Sequence, residues 1–353
     1  MKLLRRLNSP KRFTKAGGDR TLQGLNYFYF SETLMASDIR QARLTVAASF
    51  LPHFFLENLA IRYDNSILVT VATRKEVWYV PPPREGAQVD PMLLHTFDEM
   101  VTGIVEHEGD VFYVCTGNGY TTHEAYLHKF DLRGWNPGAT AKPELVLTFP
   151  EKARGLNGSC LIAPDTLLIA DTFAGLIWRV DLSLSGKLEP RVWLVHESMA
   201  HIVDTLPPPP QPGINGIQYD SKTNFLYYTS TGQKLFMRVR VDSQTHDPEG
   251  TPELVDKGTM ADDFCIDEDA GVAYVTTHRE NTIDRVPLEP NSGSRRSVVG
   301  QPFNELLLGP SSAAWSRVPG EYGRVAYFTT DGGQTAPPPD KIVRSAKVLR
   351  VEF

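Results

Sequence analysis

What the 353-residue chain lacks narrows the possibilities before any motif is read. Its apolar runs, such as "TLLIADTF", stop at about eight residues, whereas a helix that crosses a bilayer needs roughly 20. It has no basic cluster and a net charge of −6, which argues against nucleic acid as the main partner. Only three cysteines occur, Cys115, Cys160 and Cys265. They lie in apolar company with no CxxC or Cys/His spacing, so they read as small buried hydrophobes rather than redox or metal groups. No G-x-S-x-G, no glycine-rich phosphate loop and no zinc spacing appears. After residue 50 there is also no helical segment of the roughly 10–15 residues that an α/β fold places between its strands.

The basic start, "MKLLRRLNSPKRF", lacks the apolar stretch of a signal peptide. We expect residues 1–42 to be a solvated extension, and the protein to be cytoplasmic, without membrane insertion. Its oligomeric state is not legible. At 41% hydrophobic residues the remainder is long enough to bury a full core.

What fills that remainder is a repeat. Between residues 50 and 353 one pattern recurs at intervals of roughly 45 to 58 residues, a spacing typical of propellers. Each copy opens with a first element: "LENLAIRY", "VTGIVEHE", "LNGSCLIA", "INGIQYDS", "ADDFCIDE", "PSSAAWSR". A second follows, such as "SILVTVAT" or "VAYFTTDG", and a third, such as "LIWRVDL" or "KVLRVEF". These runs are rich in Val, Ile, Tyr and Thr and bounded by Gly, Asn, Asp and Pro, the signature of strands. Weaker fourth strands ("MLLHTF", "ELVLTF", "RVWLVHE", "PELVDKG", "RRSVVG") serve five copies. The sixth copy lacks one, and "ARLTVAASF" ahead of the first copy is free to supply it, closing the ring and protecting its edges. The expected fold is all-β: a six-bladed β-propeller over residues 43–353.

In a propeller the first strand of each blade lines a central channel. Aligning the six copies puts Glu57, Thr102, Asn157, Asn215, Asp262 and Ser311 in one row facing the axis. Channel positions are often polar simply because the channel holds water. Glu, Asn, Asn and Asp in equivalent register on four blades instead point to a hard-cation site, for which oxygen ligands suit Ca²⁺, Mg²⁺ or Mn²⁺. We expect one such divalent ion and no organic cofactor. The adjacent Asp263 is expected to turn to the opposite face of the strand.

The motifs "LENLAI", "LNGSCL", "INGIQYD" and "MADDFCID" resemble those of the SMP-30/gluconolactonase/LRE-like propellers, the regucalcin-like family, over about residues 50–353. The resemblance implies a divalent metal held by a Glu, two Asn and an Asp, here Glu57, Asn157, Asn215 and Asp262. It also implies that Asp262 serves as general base on lactone substrates. The chain departs from the pattern where Asp263 and bulky Phe264 follow that Asp. It departs again where the sugar-lactone members carry an arginine shortly before the first Asn: here Leu156 precedes Asn157, with Arg154 further off.

Loops at the mouth supply Phe54, Phe55, Tyr120, Phe173, Met199, His201, Ile202 and Phe264, which read as a pocket for a hydrophobic small molecule rather than a polyol. The long segment from His196 to Gly213 contains "SMAHIVDTL", expected as a short lid, and a proline run; "TTDGGQTAPPPD" is a second such excursion. Among the histidines, His53, His107, His123, His201 and His278, none is tied to a nucleophile by a motif, although His278, in "TTHREN", falls just after a second strand.

Three functions compete. One is a metal-dependent hydrolase of lactones or esters, with Asp262 accepting a proton. The second follows from a resemblance to fungal SMP-30-like propellers of natural-product pathways. It implies an intermolecular hetero-Diels–Alder cycloaddition joining a quinone methide-type electrophile to an apolar terpene, with Asp262, Asn157, Asn215, Thr102 and His278 as candidate catalytic groups. The third, a non-catalytic protein-binding propeller, has no marked face to support it. The apolar mouth and the missing arginine favour the second.

Overall fold

In the computed structural model the residues that can be described are 41–183, 187–203 and 211–353. Residues 40–353 form one compact unit; the expected extension over 1–42 lies almost entirely outside the described residues. Six four-stranded antiparallel sheets make up the fold. Their inner strands are Leu56–Ile61, Met100–Glu106, Leu156–Ala163, Ile214–Asp220, Ala261–Asp267 and Pro310–Trp315. Each inner strand touches the inner strand of the next blade, and that of blade six touches that of blade one, so the ring is closed. The all-β six-bladed propeller expected from the repeat is what forms.

Blade six takes its outer strand from Arg43–Pro52, which pairs antiparallel with Ser345–Glu352 in the register Arg43↔Glu352 to Pro52↔Ser345. Six clusters of buried apolar side chains each straddle two neighbouring blades. One holds Leu168 and Ile177 of blade three against Leu226 and Tyr228 of blade four. A blade is therefore apolar on both faces, as its strand sequences require. Cys115, Cys160 and Cys265 are buried and unpaired.

The inner strands share one irregularity. Every one of them carries a β-bulge at the same level, between Leu56 and Asn58, Val101 and Ile104, Leu156 and Ser159, Ile214 and Ile217, Ala261 and Phe264, and Pro310 and Ala313. A bulge sets two residues against one on the partner strand and bends the strand locally. Its first residues are Glu57, Thr102, Asn157, Asn215, Asp262 and Ser311, the polar row itself. Its second residues are Asn58, Gly103, Gly158, Gly216, Asp263 and Ser312.

Opposite four of these bulges stands a threonine: Thr70, Thr229, Thr276 or Thr329. Each hydroxyl accepts the N–H that the bulge leaves without a ladder partner, from Asn58 (2.9 Å), Gly216 (2.9 Å), Asp263 (3.0 Å) and Ser312 (3.0 Å). Three of them also donate to the next blade: Thr70 to the Thr102 carbonyl (2.7 Å), Thr229 to that of Asp262, Thr276 to that of Ser311 (3.1 Å). One hydroxyl thus mends a defect within a blade and ties it to its neighbour.

The three glycines are required by crowding. A Cβ at Gly103, Gly158 or Gly216 would lie 2.1 Å from the Asn157 carbonyl, 2.6 Å from the Asn215 carbonyl or 2.2 Å from Asp263 Oδ1.

Replacing Thr229 by Val keeps the shape but strands the Gly216 N–H in the interior. Urea denaturation should show a loss of about 1–3 kcal/mol; a change indistinguishable from zero would mean that water takes over the hydroxyl's role.

Candidate active site

The first bulge residues converge at one mouth of the channel, around a cavity of about 360 Å³. Glu57, Thr102, Asn157, Asn215, Asp262 and His278 line it. Ser311 does not: its hydroxyl donates to the Leu56 carbonyl and pairs with Thr329 at 2.9 Å. The Thr102 hydroxyl is likewise used within the frame, donating to the Leu156 carbonyl at 2.8 Å.

The floor is a network of charged groups. Asp262 Oδ1 accepts from Asn215 Nδ2 at 2.5 Å, and Asn215 Nδ2 also meets Thr231 Oγ1 at 3.0 Å. Asp262 Oδ2 lies 3.2 Å from His278 Nδ1. The other ring nitrogen, His278 Nε2, lies 3.1 Å from Asp331 Oδ2, and the Thr335 hydroxyl is 3.2 Å from that nitrogen. Phe55 covers the imidazole edge-on, ring centres 5.4 Å apart. Asn157 stands near enough to Glu57 to favour its charged form.

Burial disfavours the imidazolium of His278, but the charges of Asp262 and Asp331 and the hydrogen bond to Asp331 outweigh it and push its pKa up to about 9. Burial raises Asp262 well above the usual carboxylate range, with the charges of Glu57, Asp263 and Asp331 adding to it and His278 opposing. Glu57 is raised by burial as well, against the pull of His278 and Asn157. Asp331, although buried, stays below its ordinary value because His278 and the Thr335 N–H and hydroxyl hold the charged form. The pair His278⁺–Asp331⁻ is the fixed charge of the floor.

Asp263 is separate from this network. The bulge sends it into a second axial layer, where its Oδ2 accepts from Ser312 Oγ (2.8 Å) and Asn58 Nδ2 (3.3 Å), and its Oδ1 from the Phe264 N–H (2.8 Å). This trio plugs the channel. A smaller cavity of about 200 Å³ lies at the opposite side, lined by Asn58 and Asp263 and sharing no residue with the first. Burial lifts Asp263 to about 7.

The walls are apolar: Phe55, Met100, Tyr120, Leu156, Phe173 and Met260. Of the residues expected there, Phe55, Tyr120 and Phe173 take part, and His201 lines an adjoining cavity. Four do not reach the mouth. Phe54 packs on Phe50 and Trp78 in the core between blades six and one. Met199 is buried by a single turn of 3₁₀ helix, Glu197–Met199, in the core between blades three and four. Ile202 pairs its backbone with Gln211 and packs by Gly232. Phe264 lies past the bulge, which reverses the alternation, so it is fully buried against Phe236. The expected lid lies partly outside the described residues; its two ends are joined by the Ile202–Gln211 bridge.

His53 is exposed and His107 pairs with Asp165 at 3.2 Å, both away from the floor. Asp331, Thr335, Thr172, Gln211 and Arg279 were not expected from the sequence. The position just after the second strand of blades three to six reads Thr172, Thr231, His278, Asp331, and aligning that row as well as the first strands would have found Thr172 and Asp331, though not Thr335, Gln211 or Arg279. Thr172 lines the cavity at 5% exposure, and its buried hydroxyl has no hydrogen-bond partner among the described residues.

The donor set fits a hard divalent cation in chemical type: two carboxylates and two carboxamides, all able to present oxygen. Both oxygens of Asp262 are also engaged here, by Asn215 and His278, and the positive charge beside them is that of His278. Among the described residues no group of three or more His, Cys, Asp or Glu is placed to hold a metal.

No family model matches the sequence, and no curated protein matches it. Solved structures do match in shape. A luciferin-regenerating enzyme is similar with a TM-score of 0.61 and 13% identity, over 88% of this chain and 95% of that one. A calcium-binding protein, regucalcin, from Agrobacterium tumefaciens gives 0.56 and 16%, over 87% and 95%. A gluconolactonase from Xanthomonas campestris gives 0.55 and 10%, over 88% and 89%. At such identities the likeness establishes the fold alone, a six-bladed propeller.

Two outcomes follow. For a group whose pKa is raised on folding, stability is full below the unfolded value and is lost as pH rises through the folded one. Asp263 therefore costs stability between about pH 4 and 7, and His278 between about 6.5 and 9. In chelator, the urea-unfolding free energy of Asp263→Asn relative to the parent should rise by a few kcal/mol from pH 4 to 7, as the parent alone loses the contribution of Asp263; parallel curves would refute this. A Cβ at Gly155 would stand 2.8 Å from Phe173 Cδ2, so Gly155→Ala should displace the Phe173 wall and weaken binding of an apolar probe about tenfold. Unchanged affinity, read by titration calorimetry, would show that Phe173 is not fixed there.

Proposed function

We propose that the chain is an enzyme acting on small apolar molecules in the axial cavity, and that its reaction is an intermolecular hetero-Diels–Alder cycloaddition. The observation that carries this reading is the contrast between walls and floor. The walls are mostly aromatic, thioether and aliphatic side chains, with Gln211 and Arg279 paired to each other among them. The floor is polar, but its donors and acceptors satisfy one another: both nitrogens of His278 face carboxylates, so neither polarises a ligand. The Thr172 hydroxyl is the exception, a buried group on a cavity-lining residue with no hydrogen-bond partner among the described residues.

In this reading Phe55, Met100, Tyr120, Phe173 and Met260 hold a quinone methide-type electrophile and an apolar terpene in reactive contact. Two σ bonds form from the π electrons of the partners, and no proton need leave or arrive. Orientation of this kind can contribute about 7–11 kcal/mol. The apolar walls keep water from an electrophile that would otherwise be hydrolysed. Thr172 donates to the electrophile's carbonyl oxygen and draws charge toward it. Asp331 and Thr335 hold His278, and His278 holds Asp262, so they position the floor without touching the reacting atoms.

A second reading rests on Glu57, Asn157, Asn215 and Asp262 in equivalent bulges. These are the side chains that would hold Ca²⁺, Mg²⁺ or Mn²⁺, which when bound would polarise a lactone carbonyl and acidify water. Asp262 would then be the proton acceptor.

Turnover of an ortho-quinone methide with an apolar cyclic alkene separates the two. On the first reading it survives exhaustive chelation and falls about tenfold in Thr172→Val. Lactone hydrolysis that is lost on chelation, restored by Ca²⁺ or Mn²⁺ and abolished in Asp262→Asn would replace the first reading by the second.

A further inference from the structure

The axial cavity does not end at its aromatic wall. A second cavity of about 310 Å³ adjoins it, lined by Gly119, Tyr120, His123, Arg154, Phe173 and His201. Gly119, Tyr120 and Phe173 line both spaces. Tyr120 and Phe173 meet edge-to-face at 5.0 Å. Phe173 is seated by two glycines: a Cβ at Gly119 or Gly155 would come within 2.8 Å of its ring. The partition is therefore a fixed aromatic pair rather than a loose side chain.

The other three lining residues are all basic, and no carboxylate is among them. They arrive on three different loops: His123 between the second and third strands of blade two, Arg154 between blades two and three, His201 between blades three and four. Arg154 is held through its main chain, whose N–H donates to the buried Asp171 carboxylate at 3.0 Å. Its guanidinium has no hydrogen bond or ion pair among the described residues. His123 sits in the left-handed region (φ 58°), fixed by its N–H to the Asn118 carbonyl at 2.8 Å. Its Nδ1 is buried and has no partner among the described residues. His201 stands edge-on to Phe173 at 5.6 Å.

A guanidinium, which can only donate, and two imidazoles, each of which can donate, meet around one cavity with no carboxylate among them, and the Arg154 head is solvent-exposed and without an ion pair among the described residues. The axial floor on the other side of Phe173 is the reverse, with Glu57, Asp262 and Asp331. An oxyanion is the group that satisfies the annex, since arginine matches carboxylate and phosphate oxygens two at a time. Tyr120 and Phe173 would then lie against the apolar body attached to it.

We infer that this annex is an anion subsite, and that one of the molecules taken by the protein carries a carboxylate or a phosphate at the end of an apolar or aromatic body. The inference rests on the axial cavity being the substrate site. It names a feature of the substrate that the cycloaddition reading leaves open.

The test is direct binding, independent of turnover. Three probes with one ring system are titrated by calorimetry: 2-naphthoate, 2-naphthyl phosphate and the neutral 2-naphthalenemethanol. At least one anion should bind about tenfold more tightly than the alcohol, and the stronger of the two identifies carboxylate or phosphate. In Arg154→Gln, with its melting temperature unchanged, that preference should shrink to within about twofold, while the affinity for the alcohol stays as it was. His123→Gln should lower the preference partway, and Asp262→Asn should leave it intact. An anion preference that follows Arg154 supports the annex even if no cycloadduct is ever formed. Equal affinity for anion and alcohol, or a preference that survives in Arg154→Gln, overturns it even if the cycloaddition is real.

Discussion

The site depends on one backbone feature, the bulge carried by all six inner strands at the same level. A regular strand would turn successive side chains to opposite faces, and a channel built from regular strands would show the axis one residue in two. The bulge gives each blade two consecutive residues near the axis, in two layers. The first layer is the floor of the cavity; the second is the plug of Asn58, Asp263 and Ser312 with its three glycines. In four of the six blades a hydroxyl opposite the bulge, from Thr70, Thr229, Thr276 or Thr329, takes up its N–H, and three of the four also stitch blade to blade. Frame and site are thus one construction.

The electrostatics of the floor follow from the same crowding. Glu57, Asp262 and Asp331 face a single buried imidazole. Two of those carboxylates are raised by burial, while Asp331 stays ionised because its hydrogen bonds favour the charged form. The acids of the floor are turned on His278 and on one another, whereas the annex behind Phe173 has no acid among its lining residues. A ligand crossing that aromatic partition passes from acceptors to donors within one molecule's length.

How much of this was legible in the sequence depended on whether the signal was local. Strand runs are short and chemically marked, so the blades, the polar row and even the closing strand "ARLTVAASF" could be read from pattern and spacing alone. The bulge is not marked. Strict alternation puts Asp262 and Phe264 on one face and Asp263 on the other, so Phe264 was expected at the mouth; the extra residue instead turns it into the core beside Phe236. Phe54 and Met199 were misplaced because loop aromatics and thioethers pack wherever two neighbouring blades leave room, and no local pattern marks which gap that will be. Asp331 and Thr335 escaped notice because their importance is relational: nothing about "TTDGG" announces that it will face a histidine 53 positions earlier.

The seam of blade six carries a further implication. Its outer strand is joined to its neighbour across a separation of 305 residues, as in the pairing of Thr45 with Arg350. Contacts so remote along the chain are slow to find, and until this one forms, blades one and six have no reason to stay in register. The Asn58–Asp263–Ser312 plug draws on blades one, five and six, so it is completed only as the circle shuts. Competence to hold a ligand is therefore a property of the finished annulus, acquired in one step at the end of assembly rather than blade by blade.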